Sequence, residues 1–344
     1  MDNNMTVEQL EKKIQAQELD NIYLFYGEET YLLENIVKKI KKIFGELIPG
    51  INSIVIDNSN LASLISEMET PAFGYDKKLI IVKNTGLFQK EGKRKNAILS
   101  EQKEKLVKYI PDNIELIKQS LIVVFIEEKA DKFKLYKILE EYGVVCAFDK
   151  QSAAQILSRL KAIYKAYNIN IEDATIKYVI ECCGTSLQDL INESRKLIEY
   201  AGEKGSIGKK EVDLLCIKQV ESIIFDLTDN LGKKEIGLAL KVLKNLIYAK
   251  EPIQKIFITL YNHFKKLYLI KLAIKQKRDL TEALNLKPNQ MFLTTKYKAQ
   301  ANYFEEQELK TLIEEMIKLD TDYKIGKVDL DIGLEAILCR YCSK

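Results

Sequence analysis

The sequence predicts an α/β domain followed by all-α structure, and three observations support this prediction. Short, continuously apolar segments alternate with helical patterns from the N-terminus to Phe148. After Phe148 the strand patterns stop, and helical periodicity continues along the chain. Residues 220–344 contain the longest helical patterns. Because continuously apolar strands separated by helices indicate a parallel sheet covered on both faces, we expect a parallel-sheet domain and then helical domains.

The first 148 residues contain the predicted sheet and its covering helices. Thr6 and Gln9 have the spacing of a capping box and predict a helix to about residue 18. An apolar stripe at helical spacing predicts a second helix over residues 32–43. The segment Lys90–Lys108 is charged and is assigned no element. The predicted strands are 22–26, 54–56, 79–82, 121–126 and 144–148, and the remaining helices are 61–68 and 132–142.

The helical part of the chain is predicted to form a small domain, completed by the helix 209–216, and a larger domain after it. Gly202–Gly208 contains three glycines and is predicted to be linker-like. Pro252 occupies a first-turn position where proline is tolerated, and Pro288 is expected to begin another helix. We therefore expect three domains, at residues 1–148, 149–219 and 220–344. The predicted helices are 151–167, 172–182, 186–200, 209–216, 233–248, 252–275, 305–320 and 329–342.

Composition excludes several classes of protein. The chain has 344 residues, of which 47% are hydrophobic and 30% charged, and its formal net charge is +3. This near balance gives no global basic field for nucleic acid, so any DNA contact must come from a local patch. The polar N-terminal residues are unlike a signal peptide, and no run of about 18 apolar residues predicts a membrane span. Six irregularly spaced cysteines favour reduced thiols and a cytoplasmic location.

A strand, a glycine turn and a helix follow one another at residues 22–44, where a nucleotide-binding protein would hold phosphates. A phosphate-binding loop needs several glycines, a lysine for the β- and γ-phosphates and a Ser or Thr for magnesium. This turn has only Gly27, and Glu28 and Glu29 follow it. Carboxylates suit a helix N-terminus, but they repel a triphosphate. The sequence thus predicts a degenerate nucleotide loop.

Four segments carry a resemblance to a known family. They are Tyr23–Glu29, Thr70–Asn84, Leu135–Val145 and Leu319–Lys327. In this order and spacing they resemble the delta-subunit family of bacterial DNA polymerase III, in the clamp-loader branch of the AAA+ proteins. The resemblance implies an AAA+-like parallel-sheet domain without a functional phosphate loop, then a small helical lid domain and a C-terminal helical collar domain.

The resemblance also implies a function in DNA replication. Members of the family bind and open the ring-shaped beta sliding clamp, so that it can be loaded onto primed DNA. The implied partners are the beta clamp, the gamma/tau motor subunits, delta-prime and primed DNA, with no membrane. ATP is bound by the partner subunits, so no cofactor or metal and no catalytic residue is expected in this chain. A Ser-Arg-Cys finger motif is also missing, since the nearest match is Ser194–Lys196.

The segment Pro71, Ala72, Phe73 and Gly74 is the predicted clamp-binding site. It follows a predicted helix and precedes a buried strand, so a turn there would push Phe73 outward. A rigid aromatic on an exposed loop suits an anchor in a partner's hydrophobic pocket. The resemblance places the family's apolar-aromatic clamp wedge on Ala72 and Phe73, although Ala72 is smaller than the usual residue. The structural alternative is that Phe73 caps the sheet.

Tyr323 and Lys324 are the predicted DNA contacts, just before the last predicted helix. The resemblance implies that Tyr323 lies in the collar, where it can stack on a base at the primer–template junction. Stacking on bases tolerates any sequence, which suits a protein that must accept any primer. The alternative is a packed tyrosine at a helix end.

Other polar groups are predicted to have structural or solvent-exposed positions rather than a function. Glu127 and Glu128 follow a strand near the place where an ATPase keeps its acidic pair, but they have no nucleotide to serve and are predicted to be surface carboxylates. His263 lies in an apolar run and is expected to be structural. Solvated faces rather than phosphate contacts are also expected for two basic clusters, Lys38, Lys39, Lys41 and Lys42, and Lys90, Lys93, Arg94 and Lys95.

Cys339 and Cys342 have the spacing of half a zinc site. No second pair completes it, so both are assigned to a C-terminal helix.

Two other functions compete with the replication role. An active AAA+ ATPase with a divergent phosphate loop would bind ATP by itself, but no Gly-Lys-Ser/Thr follows any predicted strand. A sequence-specific DNA-binding regulator would need a concentrated basic recognition helix, and none is found in the sequence.

Overall fold

A computed structural model of the chain describes residues 4–90, 96–287 and 290–342, and for Cys342 its backbone alone. The chain forms two compact units, Met1–Lys150 and Gln151–Lys344. The further division of the second unit near residue 220 stays a prediction.

The first unit is built on a parallel sheet, as predicted. All neighbouring strands pair in parallel, in the order β1-β6-β2-β5-β4-β3. The central strand β2 is buried almost throughout, since its neighbours cover both edges and helices cover its faces. Only the two-residue β1 was not predicted. The strands are β1 (Asn4–Met5), β2 (Ile22–Tyr26), β3 (Ser53–Ile56), β4 (Lys78–Lys83), β5 (Leu121–Glu127) and β6 (Val144–Ala147).

The helices of the first unit bury apolar stripes on this sheet. The predicted capping box of Thr6 and Gln9 is present at the start of α1. In α2, Ile36 and Ile40 are buried at helical spacing. Two helices were not predicted: α4 begins within the charged segment Lys90–Lys108, and α5 lies between that segment and the next predicted strand. The helices are α1 (Val7–Gln15), α2 (Thr30–Phe44), α3 (Leu64–Glu69, after a 3₁₀ turn at Leu61–Ser63), α4 (Ala97–Asp112), α5 (Ile114–Ser120) and α6 (Lys134–Tyr142).

The second unit begins with helices and a small two-stranded sheet. Its strands β7 (Asn170–Ile171) and β8 (Ser206–Ile207) pair in parallel, Asn170 opposite Ser206. The prediction that Gly202–Gly208 is linker-like is therefore wrong, because β8 pairs within the unit and Ile207 is buried. The helices of this part are α7 (Ala153–Ala166), α8 (Asp173–Cys183), α9 (Leu187–Ala201) and α10 (Lys209–Leu215).

In the part of the chain that the structure describes, seven further helices complete the second unit around one apolar core. Buried leucines, isoleucines and phenylalanines of α11, α12, α13, α16 and α17 form this core. Helices α11 and α14 were not predicted. The helix expected to begin at Pro288 has its predicted start outside the described residues, and α15 begins at Leu293. The helices are α11 (Val220–Gly232), α12 (Ile236–Tyr248), α13 (Ile253–Lys275), α14 (Leu280–Leu284), α15 (Leu293–Ala301), α16 (Glu306–Lys324) and α17 (Leu330–Cys342). Among the described residues, no helix is both long and apolar enough to cross a bilayer.

Candidate functional site

The loop between α3 and β4 exposes an aromatic side chain. Tyr75 donates its backbone N–H to Ala72 O at 3.3 Å, which closes a four-residue turn. Gly74 has a φ of +79°, the conformation that a type II turn requires at its third position. Phe73 therefore occupies the second position, and its side chain is 91% exposed. The alternative that Phe73 caps the sheet is wrong, since the ring points into solvent.

A buried lysine anchors the base of this loop, which we call the Phe73 loop (residues 70–77). Lys78, the first residue of β4, is 2% exposed. Its ammonium group donates to Glu67 O at 2.8 Å and to Thr70 O at 3.3 Å, and it pairs with Glu67 Oε2 at 2.6 Å. A cation at a helix C-terminus also interacts favourably with the helix dipole. The end of α3 and the start of β4 are thereby held together while the tip of the loop stays exposed.

The turn after β2 is closed by hydrogen bonds to main-chain carbonyls of two other segments. Gly27 and Glu29 donate their backbone N–H groups to Glu127 O at 3.3 Å and Phe148 O at 2.8 Å. Gly27 has a φ of +133°, and a Cβ atom there would collide with the carbonyl oxygen of Phe148. Glu28 is exposed, whereas Glu29 is buried as the N-cap residue of α2. Two amides of this degenerate loop are thus engaged inside the protein.

Glu127 is buried, which corrects the prediction that it is a surface carboxylate. Its Oε1 accepts hydrogen bonds from Thr85 Oγ1 at 2.8 Å, Thr85 N at 3.1 Å and Gly86 N at 2.9 Å. Burial raises the pKa of Glu127, while the hydrogen bonds from Thr85 and Gly86 oppose this shift. The carboxylate therefore organises the loop that follows β4. Glu128, in contrast, is exposed as predicted.

A cleft of about 400 Å³ lies between α2 and the carboxyl ends of β4 and β5. The predicted basic face of α2 contributes Lys38 and Lys41 to this cleft, and Lys83 comes from the end of β4. Lys39 and Lys42 are exposed. In the second basic cluster Lys90 is exposed, whereas Lys93, Arg94 and Lys95 lie outside the described residues.

The predicted DNA contacts lie at the end of α16, which runs four residues beyond its predicted end. Tyr323 is half-buried against the core of the second unit, and its hydroxyl accepts a hydrogen bond from Gln254 Nε2 at 3.0 Å. Lys324 is exposed and pairs with Asp320 at 2.6 Å. Such an exposed pair stabilises a helix by only about 0.3–0.5 kcal/mol, so it leaves Lys324 free to exchange partners.

His263 is a core residue, in keeping with its expected structural role. Its Nε2 lies 2.7 Å from Gln300 Oε1, and the same glutamine side chain donates to Phe225 O at 2.8 Å. Burial lowers the pKa of His263 to about 3, so the imidazole is neutral at physiological pH. Cys339 and Cys342 both lie on α17, and for Cys342 the structure describes the backbone alone.

A six-stranded parallel sheet, a turn after β2 closed by hydrogen bonds to main-chain carbonyls and a second, largely helical unit define a two-unit protein of the α/β plus α-helical class. The comparisons with known proteins identify its family. The family described as "DNA polymerase III, delta subunit" matches residues 23–148, and the family described as "DNA polymerase III delta subunit, C-terminal domain" matches residues 221–341. The chain belongs to the DNA polymerase III delta subunit family.

Relatives support this assignment over most of the chain. The chain is 28% identical over 316 residues to the "Probable DNA polymerase III subunit delta" of Aquifex aeolicus, covering 89% of this chain and 87% of that one. It is 24% identical over 339 residues to the "DNA polymerase III subunit delta" of Bacillus subtilis, covering 97% and 96%. The structure of the Bacillus subtilis DNA clamp loader delta protein has the same fold, with a TM-score of 0.70, 23% identity and coverage of 98% and 100%.

Proposed function

We propose that this chain is the clamp-gripping subunit of a clamp loader, and that it binds and opens the beta sliding clamp through the Phe73 loop. The observation that carries the proposal is the 91% exposure of Phe73 on a turn whose base is held by the buried Lys78. An exposed aromatic on a fixed base is preorganised for a pocket, because little conformational freedom is lost on binding. Family membership supports the assignment to a clamp loader.

The expected contribution of Phe73 is that of a binding hot spot. Truncation of such an anchor typically costs about 2–4 kcal/mol, which corresponds to roughly a 30- to 900-fold increase in Kd. Pro71, Ala72 and Gly74 shape the turn around the anchor. Opening of the ring follows if this contact fits the open clamp better than the closed one, since a ligand shifts an equilibrium only by its differential affinity for the two states.

We further propose that the chain does not hydrolyse ATP, that the gamma/tau motor subunits bind the ATP, and that delta-prime is a further partner in the loader. The closed turn supports this, because the amides of Gly27 and Glu29 donate to main-chain carbonyls and two glutamates follow the glycine. Anion binding at a helix N-terminus depends on free backbone N–H groups. The alternative of an active ATPase with a divergent phosphate loop finds no support in the comparisons.

Tyr323 and Lys324 are proposed to contact primed DNA within the assembled loader. A half-buried tyrosine held through its hydroxyl offers a rigid ring, and the exposed Lys324 ammonium can pair with a phosphate. The cytoplasmic location stays a prediction.

Binding of the purified chain to the same organism's beta clamp, without ATP, tests the main proposal. The variants are Phe73→Ala and, as a matched control, Tyr248→Ala, which removes an aromatic side chain that is 85% exposed in the second unit. We expect Phe73→Ala to weaken binding at least about 30-fold and Tyr248→Ala to leave it unchanged. Equal binding by the wild type and Phe73→Ala would mean that the clamp contact lies elsewhere on the surface. A chain that binds ATP but does not bind the clamp would overturn the assignment to a clamp-gripping subunit.

A further inference from the structure

Three side chains of types that can bind a metal ion meet inside the second unit. Cys183 is the last residue of α8, Glu193 lies in the middle of α9, and Cys216 directly follows α10. Their sulfur atoms and a carboxylate oxygen all lie within 4.8 Å of one another. The predicted function of the chain uses none of the three, and their positions in the sequence are far apart.

This spacing fits a tetrahedral zinc site. With Zn–S bonds of about 2.3 Å and Zn–O bonds of about 2.1 Å, the ligand atoms of a tetrahedral site lie roughly 3.6–3.8 Å apart. Small side-chain movements would therefore bring these three groups onto one ion. A disulfide needs its sulfur atoms at about 2.05 Å, and Cys183 and Cys216 are both free thiols.

The surroundings are those of an organised site. Cys183 and Cys216 are 1% and 9% exposed, and the side chain of Glu193 is 12% exposed. Glu193 Oε2 accepts the backbone N–H of Ile217 at 3.1 Å and pairs with Lys196 Nζ at 2.6 Å. Metal-ligating carboxylates are commonly hydrogen-bonded in this way, which fixes their orientation. The other carboxylate oxygen, Oε1, can turn to the ion.

We propose that Cys183, Glu193 and Cys216 bind one zinc ion, with a water molecule as the fourth ligand on the partly exposed Glu193 side. Zinc replaces the two thiol protons, which pass to solvent, and no electrons are transferred. Two thiolates and a carboxylate suit zinc among the common divalent ions. The proposal is independent of clamp binding.

The ion would have a structural role. It would join the C-terminal end of α8, the middle of α9 and the connection from α10 to α11. That connection is already tied at two points, since Gln219 N donates to Cys182 O at 2.8 Å and Lys196 Nζ donates to Leu215 O at 3.2 Å. A bound ion would hold the same three elements more firmly, and because it binds only the folded state it would raise the melting temperature.

Cobalt and zinc titration of the purified full chain, kept reduced, tests the proposal. Cobalt bound by thiolates gives a near-ultraviolet charge-transfer band, and we expect this band to saturate at one ion per chain and to vanish when zinc is added. Cys183→Ser and Cys216→Ser should lose the band. Cys182→Ser is the matched control, because it changes a buried neighbouring thiol outside the cluster and should keep the band.

A second, more conservative variant keeps the proposal testable if the serine variants fail to fold. Glu193→Gln keeps the shape of the side chain and an acceptor for Ile217, and we expect it to weaken zinc binding by at least about tenfold. Zinc should raise the melting temperature of the wild type more than that of Glu193→Gln. The proposal fails if the wild type shows no thiolate band, if both serine variants bind cobalt like the wild type, or if mass spectrometry finds a Cys183–Cys216 disulfide in the protein as isolated.

Discussion

Replacement of Lys78 by methionine tests whether this buried lysine anchors the Phe73 loop. Methionine keeps the length and most of the apolar contacts of the side chain but removes the ammonium group. The carbonyl oxygens of Glu67 and Thr70 then lose their donor. The Glu67 carboxylate loses its partner too, but its side chain is 32% exposed and can be hydrated instead.

The size of the effect follows from these contacts. A hydrogen bond to a charged group contributes about 1.5–3 kcal/mol. The bond from Lys78 Nζ to Glu67 O has a typical length of 2.8 Å, whereas the bond to Thr70 O is longer, at 3.3 Å, and therefore weaker. The partly exposed ion pair adds less than about 1 kcal/mol. Relief from burying the ammonium group offsets part of the loss. We expect Lys78→Met to lower the free energy of unfolding by about 2–3 kcal/mol.

Urea unfolding of the full chain and hydrogen exchange of the Thr70 amide measure this effect. The Thr70 amide donates to Ser66 O at the end of α3 and should exchange faster in Lys78→Met. Lys77→Met is the matched control, since Lys77 is exposed and its replacement should change stability by less than about 0.5 kcal/mol. Unchanged stability together with unchanged Thr70 exchange in Lys78→Met would refute the anchoring role.

Three further predictions follow from other parts of the structure. Gly27→Ala should lower the melting temperature far more than Gly45→Ala, because a Cβ atom at residue 27 would collide with the carbonyl group of Phe148. Gly45 is the matched control, since it also has a positive φ but has open space around it. Equal effects of the two substitutions would contradict this close approach. Burial lowers the pKa of His263 to about 3 from an ordinary value near 6.5, so below pH 6.5 the unfolded chain binds a proton on this imidazole that the folded chain does not. This group should therefore lower the free energy of unfolding by about 1.4 kcal/mol for each pH unit below pH 6.5. His263→Gln should give a shallower slope in urea titrations between pH 6.5 and 4, and an identical slope would contradict the burial argument. In the assembled loader, Tyr323→Phe should keep most of its primed-DNA affinity and Tyr323→Ala should lose about 5- to 150-fold, while equal affinities would exclude stacking.

The buried strands could be predicted from sequence because their signal is local. The strand Ile22–Tyr26 has the predicted bounds, since a run of apolar residues between polar ones requires no tertiary information. The helix Ala97–Asp112 was missed because it buries few residues and carries many charges, so its apolar periodicity is weak. The strands β7 and β8 have two residues each and show no periodicity.

The parts of the candidate sites that sequence missed depend on contacts between distant segments. In the sequence Glu127 looks like a surface residue at the end of a predicted strand, but it is the last residue of β5, and the loop at Thr85 supplies its hydrogen bonds. Cys183 and Cys216 are 33 positions apart and meet only because α8, α9 and α10 pack together. The exposure of Phe73 was predictable, in contrast, because the turn is set by adjacent residues and Gly74.

The hydrogen bonds that close the turn after β2 bear on how the proposed clamp contact could be released. In a nucleotide-driven switch, the strand–turn–helix junction changes with the phosphates bound to it. Here the carbonyls of Glu127 and Phe148 accept the hydrogen bonds of Gly27 N and Glu29 N, so these two amides do not need a bound phosphate as acceptor. If this chain binds the clamp as proposed, the strength of that contact would not depend on a nucleotide at this junction, and the signal that ends it would have to come from neighbouring subunits.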